Sequence, residues 1–472
     1  MKTEEFRHRT RINAPAEEVF RWHARPGALE RLTPPWERVE VVERTGGIAN
    51  GDRVVLRLRL GPFTQQWVAE HRDYLEGRQF RDIQREGPFV HWEHTHRFEP
   101  DGAHACFLDD RIEYVLPYGT LGRWVSRQFV QRKLERLFHY RHQVTAADVI
   151  AHIRFAQKPL KILLSGASGL VGAALIPFLT AGGHHIIRLV RGNPRPGVPE
   201  VQWDPVRGVS DLTRLEGMDA VIHLAGENIA AGRWTAERKA RIYDSRVRGT
   251  KTLCETLAQL VLPPKVLVNA SAMGYYGDRG DEILHEESPP GFGFLPDVCK
   301  AWEAATEPAQ KTGIRVVRLR IGMVLSGVGG ALQKMLLPFT LGGGGTLGSG
   351  NQYLSWLSID DMIGAIHHGL LSDSLTGPVN AAAPYPVTNR EFTKTLGMVL
   401  HRPTLLPVPA FALRLALGRE MANDLLLSST RMVPHRLLES QYQFRHPHLE
   451  DALRHVLGRH GTGKVDHEQT RA

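Results

Sequence analysis

Cysteine is scarce in this chain: Cys106, Cys254 and Cys299 are the only three in 472 residues. An odd number at wide spacings fits neither a disulfide framework nor a paired zinc-ligand pattern, so a reducing compartment and a cytoplasmic protein are expected. Long apolar runs are missing as well. Met1 to Arg9 mix charges and offer no apolar stretch that could act as a signal peptide. The most apolar segment, Pro403 to Leu417, contains three prolines and Arg414 and falls short of the roughly 20 residues that a membrane-spanning helix needs. No membrane span is expected. Blocks of one charge sign are also absent. The 59 Lys and Arg residues are interleaved with 50 Asp and Glu, so the net charge of +9 reads as a generic basic surface and no nucleic-acid partner is expected.

What is present is an ordinary globular composition, 42% hydrophobic and 23% charged, in a chain long enough for two or three cores. Residues 1 to about 150 carry short alternating runs such as Arg53 to Leu60 and Gln66 to His71, which predict an antiparallel sheet. From Leu121 to about Ala147, Leu121, Trp124, Val125, Phe129, Leu134, Leu137 and Phe138 approximate helical spacing, which predicts one long helix over a sheet face. The stretch from Phe6 to Phe20, with Ala14-Pro-Ala-Glu-Glu-Val-Phe20, and the following Pro26 to Pro34 resemble the START-like polyketide cyclase and lipid-transport superfamily. That resemblance implies an α+β helix-grip fold and an apolar ligand held between sheet and helix. Trp22, Trp67, Trp92 and Phe107 either line such a cavity or fill a core.

His91-Trp-Glu-His-Thr-His96 offers three imidazoles and a carboxylate. On a strand, His91 and Glu93 lie opposite His94 and His96, so no three of these four converge on one ion. A polar strand face is the expectation, and no metal.

After about Ala147 the texture becomes strand–helix alternation, the pattern of a parallel sheet. Ile162 to Ser165 runs into Gly166-x-x-Gly169-x-x-Gly172, and a helix continues from Leu170 to Leu179. Gly166 permits the tight turn, Gly169 lets backbone approach a pyrophosphate, Gly172 allows close helix packing, and the helix N-terminus with Ser168 and Leu170 offers N–H groups to the anion. The next strand, His185 to Val190, ends at Arg191, about 20 residues past the turn, where an NAD-selective site places an acid. A cation there favours a 2′-phosphate, so NADP(H) is expected over NAD(H). Asp219 to Gly226 predicts a fourth strand that brings Leu224, Ala225 and Gly226 beside the cofactor.

Leu224 to Ile229, Arg233-Trp234, Lys239, Ser245-Arg246, Arg320 to Ser326, the glycines Gly342 to Gly345 and Ser355 to Asp361 resemble the atypical short-chain dehydrogenases of the NAD-dependent epimerase type. Gly377 to Asn380, Thr388-Asn389, Arg402-Pro403 and Arg431 with Pro434 resemble the small DUF1731-type domain that ends this family, so the resemblance covers about Lys161 to Leu457. It implies that Arg246 contacts a phosphate or ribose and that Val324 walls the nicotinamide end. The expected fold is therefore a doubly wound, Rossmann-type α/β parallel sheet with a small C-terminal subdomain, preceded by the helix-grip domain. The expected boundaries are 1–150, a linker at 151–159, the Rossmann domain at 160–395, the small subdomain at 396–460 and a tail at 461–472.

Short-chain dehydrogenases place a Tyr, with a Lys four residues later, beside the nicotinamide. This chain lacks the pair: counting back from Glu303 puts Leu295 and Cys299 at those positions, and Lys300 is one place off. Ser271 stands where the active-site Ser or Thr sits, and Tyr276, or its neighbour Tyr275, is the candidate phenol. Asp360 and Asp361 follow a strand and are better explained by helix capping than by acid–base chemistry. The expected function is an NADP(H)-binding oxidoreductase or epimerase with a small-molecule substrate. The alternatives are an NADP(H)-sensing regulator without turnover, as in a cell-division inhibitor, and a lipid or quinone carrier on a Rossmann scaffold.

Overall fold

A two-residue repeat of apolar side chains lets a strand bury one face, and it builds the first part of the chain. The computed structural model describes residues 3–61, 63–117, 119–155, 158–209 and 211–459. Its first elements are β1 (Glu4–Ile12), α1 (Ala16–Ala24), α2 (Ala28–Leu32), β2 (Val39–Thr45), β3 (Arg53–Leu60), β4 (Phe63–Leu75), β5 (Gln79–Glu86), β6 (His91–Pro100), β7 (Cys106–Val115) and α3 (Gly119–Ile153). The seven strands form one antiparallel sheet in the order β1-β7-β6-β5-β4-β3-β2. Against its inner face α3 packs Leu134 and Phe138, in one cluster with Phe6, Trp92, Ile112 and Tyr114.

Of the helical positions read from the sequence, Phe129 is 68% exposed and so lies on the outer side of α3. The side chains of Leu121, Trp124 and Val125 lie outside the described residues. The helix continues to Ile153, past the expected start of the linker, of which residues 156 and 157 lie outside the described residues, as does the expected tail.

The second sheet has strands buried on both faces, which is why its sequence is apolar without alternation: Ile162 to Leu164 and Ala220 to Ile222 are all fully buried. It is built from β8 (Lys161–Ser165), α4 (Leu170–Ala181), β9 (His185–Val190), β10 (Glu200–Gln202), β11 (Ala220–His223), α5 (Ala236–Leu257), β12 (Val266–Ala272), α6 (Phe294–Ala304) and the strands Arg315–Ile321 and Gly377–Ala381. All pairings are parallel, in the order β10-β9-β8-β11-β12, then Arg315–Ile321, then Gly377–Ala381. Strand order reverses between β8 and β11, and a doubly wound sheet opens its ligand crevice at that point. Helices Asn389–Leu400 and Leu449–Leu457 close the far side through Phe392, Leu396, Leu453 and Val456. Among the described residues no helix is long and apolar enough to cross a membrane.

The two sheets are joined by a buried ionic cluster. Arg31 of α2 binds Asp148 of α3 at 2.7 Å and Asp360 of helix Ile359–Leu371 at 2.7 Å. Arg445 reaches Asp148 at 2.6 Å, and His455 Nε2 lies 3.0 Å from Asp360. The capping expectation for Asp360 and Asp361 holds in part: both lie in the first turn of this helix, and Asp361 Oδ2 accepts from the Ser358 hydroxyl at 2.8 Å. The cap is Ser358, whose Oγ accepts from the Asp361 N–H at 2.9 Å, while Asp360 points across to the first domain and Asp361 accepts the N–H groups of Arg445 and His446.

Candidate functional site

The crevice begins at Gly166. Its φ of +73° is left-handed, and a Cβ there would stand 2.7 Å from the backbone carbon of Leu224, so only glycine lets β8 and β11 approach this closely. A Cβ on Gly172 would meet the Gly166 carbonyl oxygen at 2.3 Å, which explains the third glycine. Gly169 caps α4 without a side chain, leaving the first-turn N–H groups open to an anion. Below the turn, Ser165 Oγ lies 2.6 Å from His223 Nδ1 and ties the two strand ends together; burial lowers the pKa of His223 to about 4, which keeps it neutral.

Above the turn lies a cavity of ≈ 550 Å³, lined by Gly166, Ser168 and Gly169 on one side and by Leu224, Ala225 and Gly226 on the other. Arg191 stands at its rim. It is exposed and, among the described residues, its guanidinium makes no hydrogen bond or ion pair, whereas neighbouring Arg195 and Arg188 both pair with the buried Glu200, at 2.8 and 3.4 Å. Arg246 is half-buried behind Gly226, donating to the Glu227 carbonyl at 2.9 Å. Leu170 and Val324 sit beyond the start of α4, packed on the cluster of Leu325 and Leu332, and do not line this cavity. Arg188, Arg195, Trp203 and Ser245 do line it and were missed. Arg188 and Arg195 flank Arg191 in the chain and Ser245 precedes Arg246, so their position beside those residues was the available signal, whereas Trp203 enters through the fold.

At the end of β12 the polar residues form a closed chain. Ser271 donates to Glu303 Oε1 at 2.7 Å, and Arg320, on the neighbouring strand in register with Ser271, clamps both oxygens of Glu303 at 2.8 and 2.9 Å. Arg320 also donates to the Tyr276 hydroxyl at 2.9 Å, and that hydroxyl donates to Asn380 Oδ1 at 2.7 Å. Burial opposes the charge of Arg320, yet Glu303 holds its pKa above the ordinary value. Tyr276 is fully buried, and burial raises its pKa to about 12. Its phenol is thus engaged by Arg320 and Asn380 within the protein. Tyr275 is less buried and lays its ring on Arg320, 3.5 Å away.

On α6, Leu295 and Cys299 face the turn at Gly274, while Lys300 is exposed and paired with Asp297 at 2.7 Å. Burial pushes the Cys299 thiol up to about 12, so it is no proton carrier at neutral pH. Glu303 and Arg320 were not singled out as functional residues, since their link to Ser271 depends on the pairing of two strands distant in the chain.

Comparison with known proteins matches this architecture segment by segment. The profile of the NAD dependent epimerase/dehydratase family matches residues 162–382, that of polyketide cyclase / dehydrase and lipid transport matches 12–139, and a domain of unknown function, DUF1731, matches 408–456. An epimerase family protein of Mycobacterium bovis is 41% identical over 300 residues, 64% of this chain and 98% of that protein. Among solved structures, a nucleoside-diphosphate sugar epimerase from Corynebacterium glutamicum superposes with a TM-score of 0.79 at 32% identity, over 98% of this chain and 92% of its own. The human epimerase family protein SDR39U1, solved with NADPH, gives 0.58 at 33% identity, over 63% of this chain and 99% of its own.

Proposed function

The chain belongs to the NAD dependent epimerase/dehydratase family, and from that premise we propose that it binds NADP(H) in the crevice between β8 and β11 as an oxidoreductase or epimerase of a small-molecule substrate. The observation that carries the cofactor choice is Arg191, a cation without a protein partner among the described residues at the mouth of the glycine turn. A 2′-phosphate would complete it through charge-assisted hydrogen bonds. The NADPH in the human relative supports the same choice.

In this reading the N–H groups at the start of α4, with Ser168, hold the pyrophosphate, and Leu224, Ala225 and Gly226 bound the nucleotide on its other side. Arg246 approaches the ribose and phosphates, and Leu170 and Val324 wall the far end. When bound, the cofactor supplies hydride-transfer chemistry. The chain's own polar residues at that end are Ser271, which meets the substrate oxygen, and Glu303, which accepts the Ser271 hydrogen bond and is clamped by Arg320. Tyr276 acts as a positioning residue for Arg320. The helix-grip domain takes an apolar ligand that the second domain shares.

A second reading, NADP(H) binding without turnover, is favoured by Leu295 and Cys299 at the positions of the usual Tyr and Lys. NADPH oxidation measured against a panel of apolar carbonyl compounds separates the two. Turnover that Ser271→Ala lowers at least tenfold supports the enzyme. Tight NADPH binding with no oxidation across the panel supports the sensor.

A further inference from the structure

The inner face of the first sheet carries a charged cluster that the nucleotide crevice does not use. Side chains alternate along β6, so His94 and His96 are buried inward with Trp92, while His91 and Glu93 remain partly exposed. Neighbours in sequence thus supply no more than two donors, and the others come from adjacent strands. Register sets Asp82 of β5 opposite His94 and Asp110 of β7 opposite His96. From above, α3 lays His142 over the group, its Nε2 2.6 Å from Asp110 Oδ2.

The distances divide the cluster into two sides. Asp82 Oδ1 lies 3.4 Å from His94 Nδ1 and 3.2 Å from His96 Nε2, and one donor atom from each of the three residues falls within 4.8 Å of the others. Bonds of about 2.0–2.1 Å to a tetrahedral ion set neighbouring donors about 3.3 Å apart. On the other side, His94 Nε2 and His96 Nδ1 lie 2.8 and 2.6 Å from the same Asp110 Oδ1. The short His96 contact runs off the hydrogen-bond direction, so Nδ1 is a buried polar atom without a hydrogen bond, in a residue only 7% exposed. Each imidazole therefore faces a carboxylate at both nitrogens. A neutral ring has one N–H and cannot satisfy both, and either extra protons or a divalent cation resolves the arrangement.

We propose that Asp82 Oδ1, His94 Nδ1 and His96 Nε2 bind a divalent first-row transition-metal ion, with Asp110 orienting both imidazoles from behind. A His–carboxylate–metal arrangement of this kind fixes ring orientation and raises ligand basicity. Two imidazoles and one carboxylate leave an open position, which a water or a ligand oxygen fills. A rival group, Asp360 with His446 and His455, is already neutralised by Arg31 and Arg445.

The test uses the untagged full-length protein, stripped with a chelator and titrated with Zn²⁺ alone, then with Co²⁺. The proposal predicts one saturable Zn²⁺ lost in Asp82→Asn and His96→Gln, retained in His91→Gln, and weakened about 10–100-fold in Asp110→Asn. Bound Co²⁺ takes on the intense visible absorption of a four- or five-coordinate ion. No saturable Zn²⁺ uptake, only the weak absorption of octahedral Co²⁺, or uptake indifferent to Asp82→Asn and His96→Gln overturns it. If the variants fail to fold, as circular dichroism reads, the wild-type Co²⁺ spectrum decides alone.

Discussion

Gly166 and Tyr276 show how single residues hold the crevice together through contacts within the protein itself. A methyl group at Gly166 meets backbone, not a side chain that can turn aside. Gly166→Ala is expected to destabilise the fold by more than about 1 kcal/mol and to abolish nucleotide binding, read by thermal unfolding with and without NADPH. Tyr276→Phe removes a buried hydroxyl that serves both Arg320 and Asn380. It is expected to cost about 1–3 kcal/mol of stability while leaving NADPH affinity within about twofold. A large loss of NADPH affinity would place the phenol in the binding site after all. At this scale the glycine turn was legible because its spacing is local. The roles of Glu303 and Arg320 were not, because their meeting with Ser271 follows from strand register.

At the scale of elements, the two hydrophobic periods read from the sequence correspond to the two sheets, since each period is set by whether one face or both are buried. The pattern of α3 was less faithful: Phe129 fits the helical count yet is exposed, because a count of apolar positions does not say which of them meet the sheet. Helix Ile359–Leu371 is wholly buried and depends on its Ser358 cap. Ser358→Ala is expected to lower stability by about 0.5–2 kcal/mol in chemical denaturation, since no other side chain replaces the bond to Asp361. The histidines of β6 illustrate the same limit in reverse. Alternation along one strand was readable, whereas Asp82 and Asp110 enter only through pairing with β5 and β7.

Across the whole molecule, the ionic cluster joins residues as far apart in the chain as Arg31 and Asp360, separated by 329 positions, which no sequence pattern announces. Burial works against the charges of Asp148 and Asp360, but Arg31 and Arg445 hold both pKa values below the ordinary range. Their contribution to stability is fully present above the ordinary Asp pKa of about 3.9 and is lost as pH falls from there through the depressed folded values. Asp361 acts in the opposite sense, since burial raises its pKa, and it offsets part of the loss. Arg31→Met is expected to cost about 3–5 kcal/mol near pH 7 by leaving Asp360 without its closest guanidinium. The gap to wild type should narrow below about pH 4, as the carboxylates protonate. Calorimetry should show one unfolding transition for the wild type and two for the variant. An unchanged gap across that pH range, or one transition in both proteins, contradicts a docking role for the cluster.

The central claim, an NADP(H) site read by Arg191, is tested most directly by calorimetric titration of the full-length protein and its Arg191→Ala variant with NADPH and NADH. The account predicts that the wild type prefers NADPH by about 10–100-fold, the size of one or two charge-assisted hydrogen bonds, and that Arg191→Ala removes the preference while sparing NADH. Equal affinity for the two nucleotides in the wild type, or a preference that survives Arg191→Ala, contradicts it.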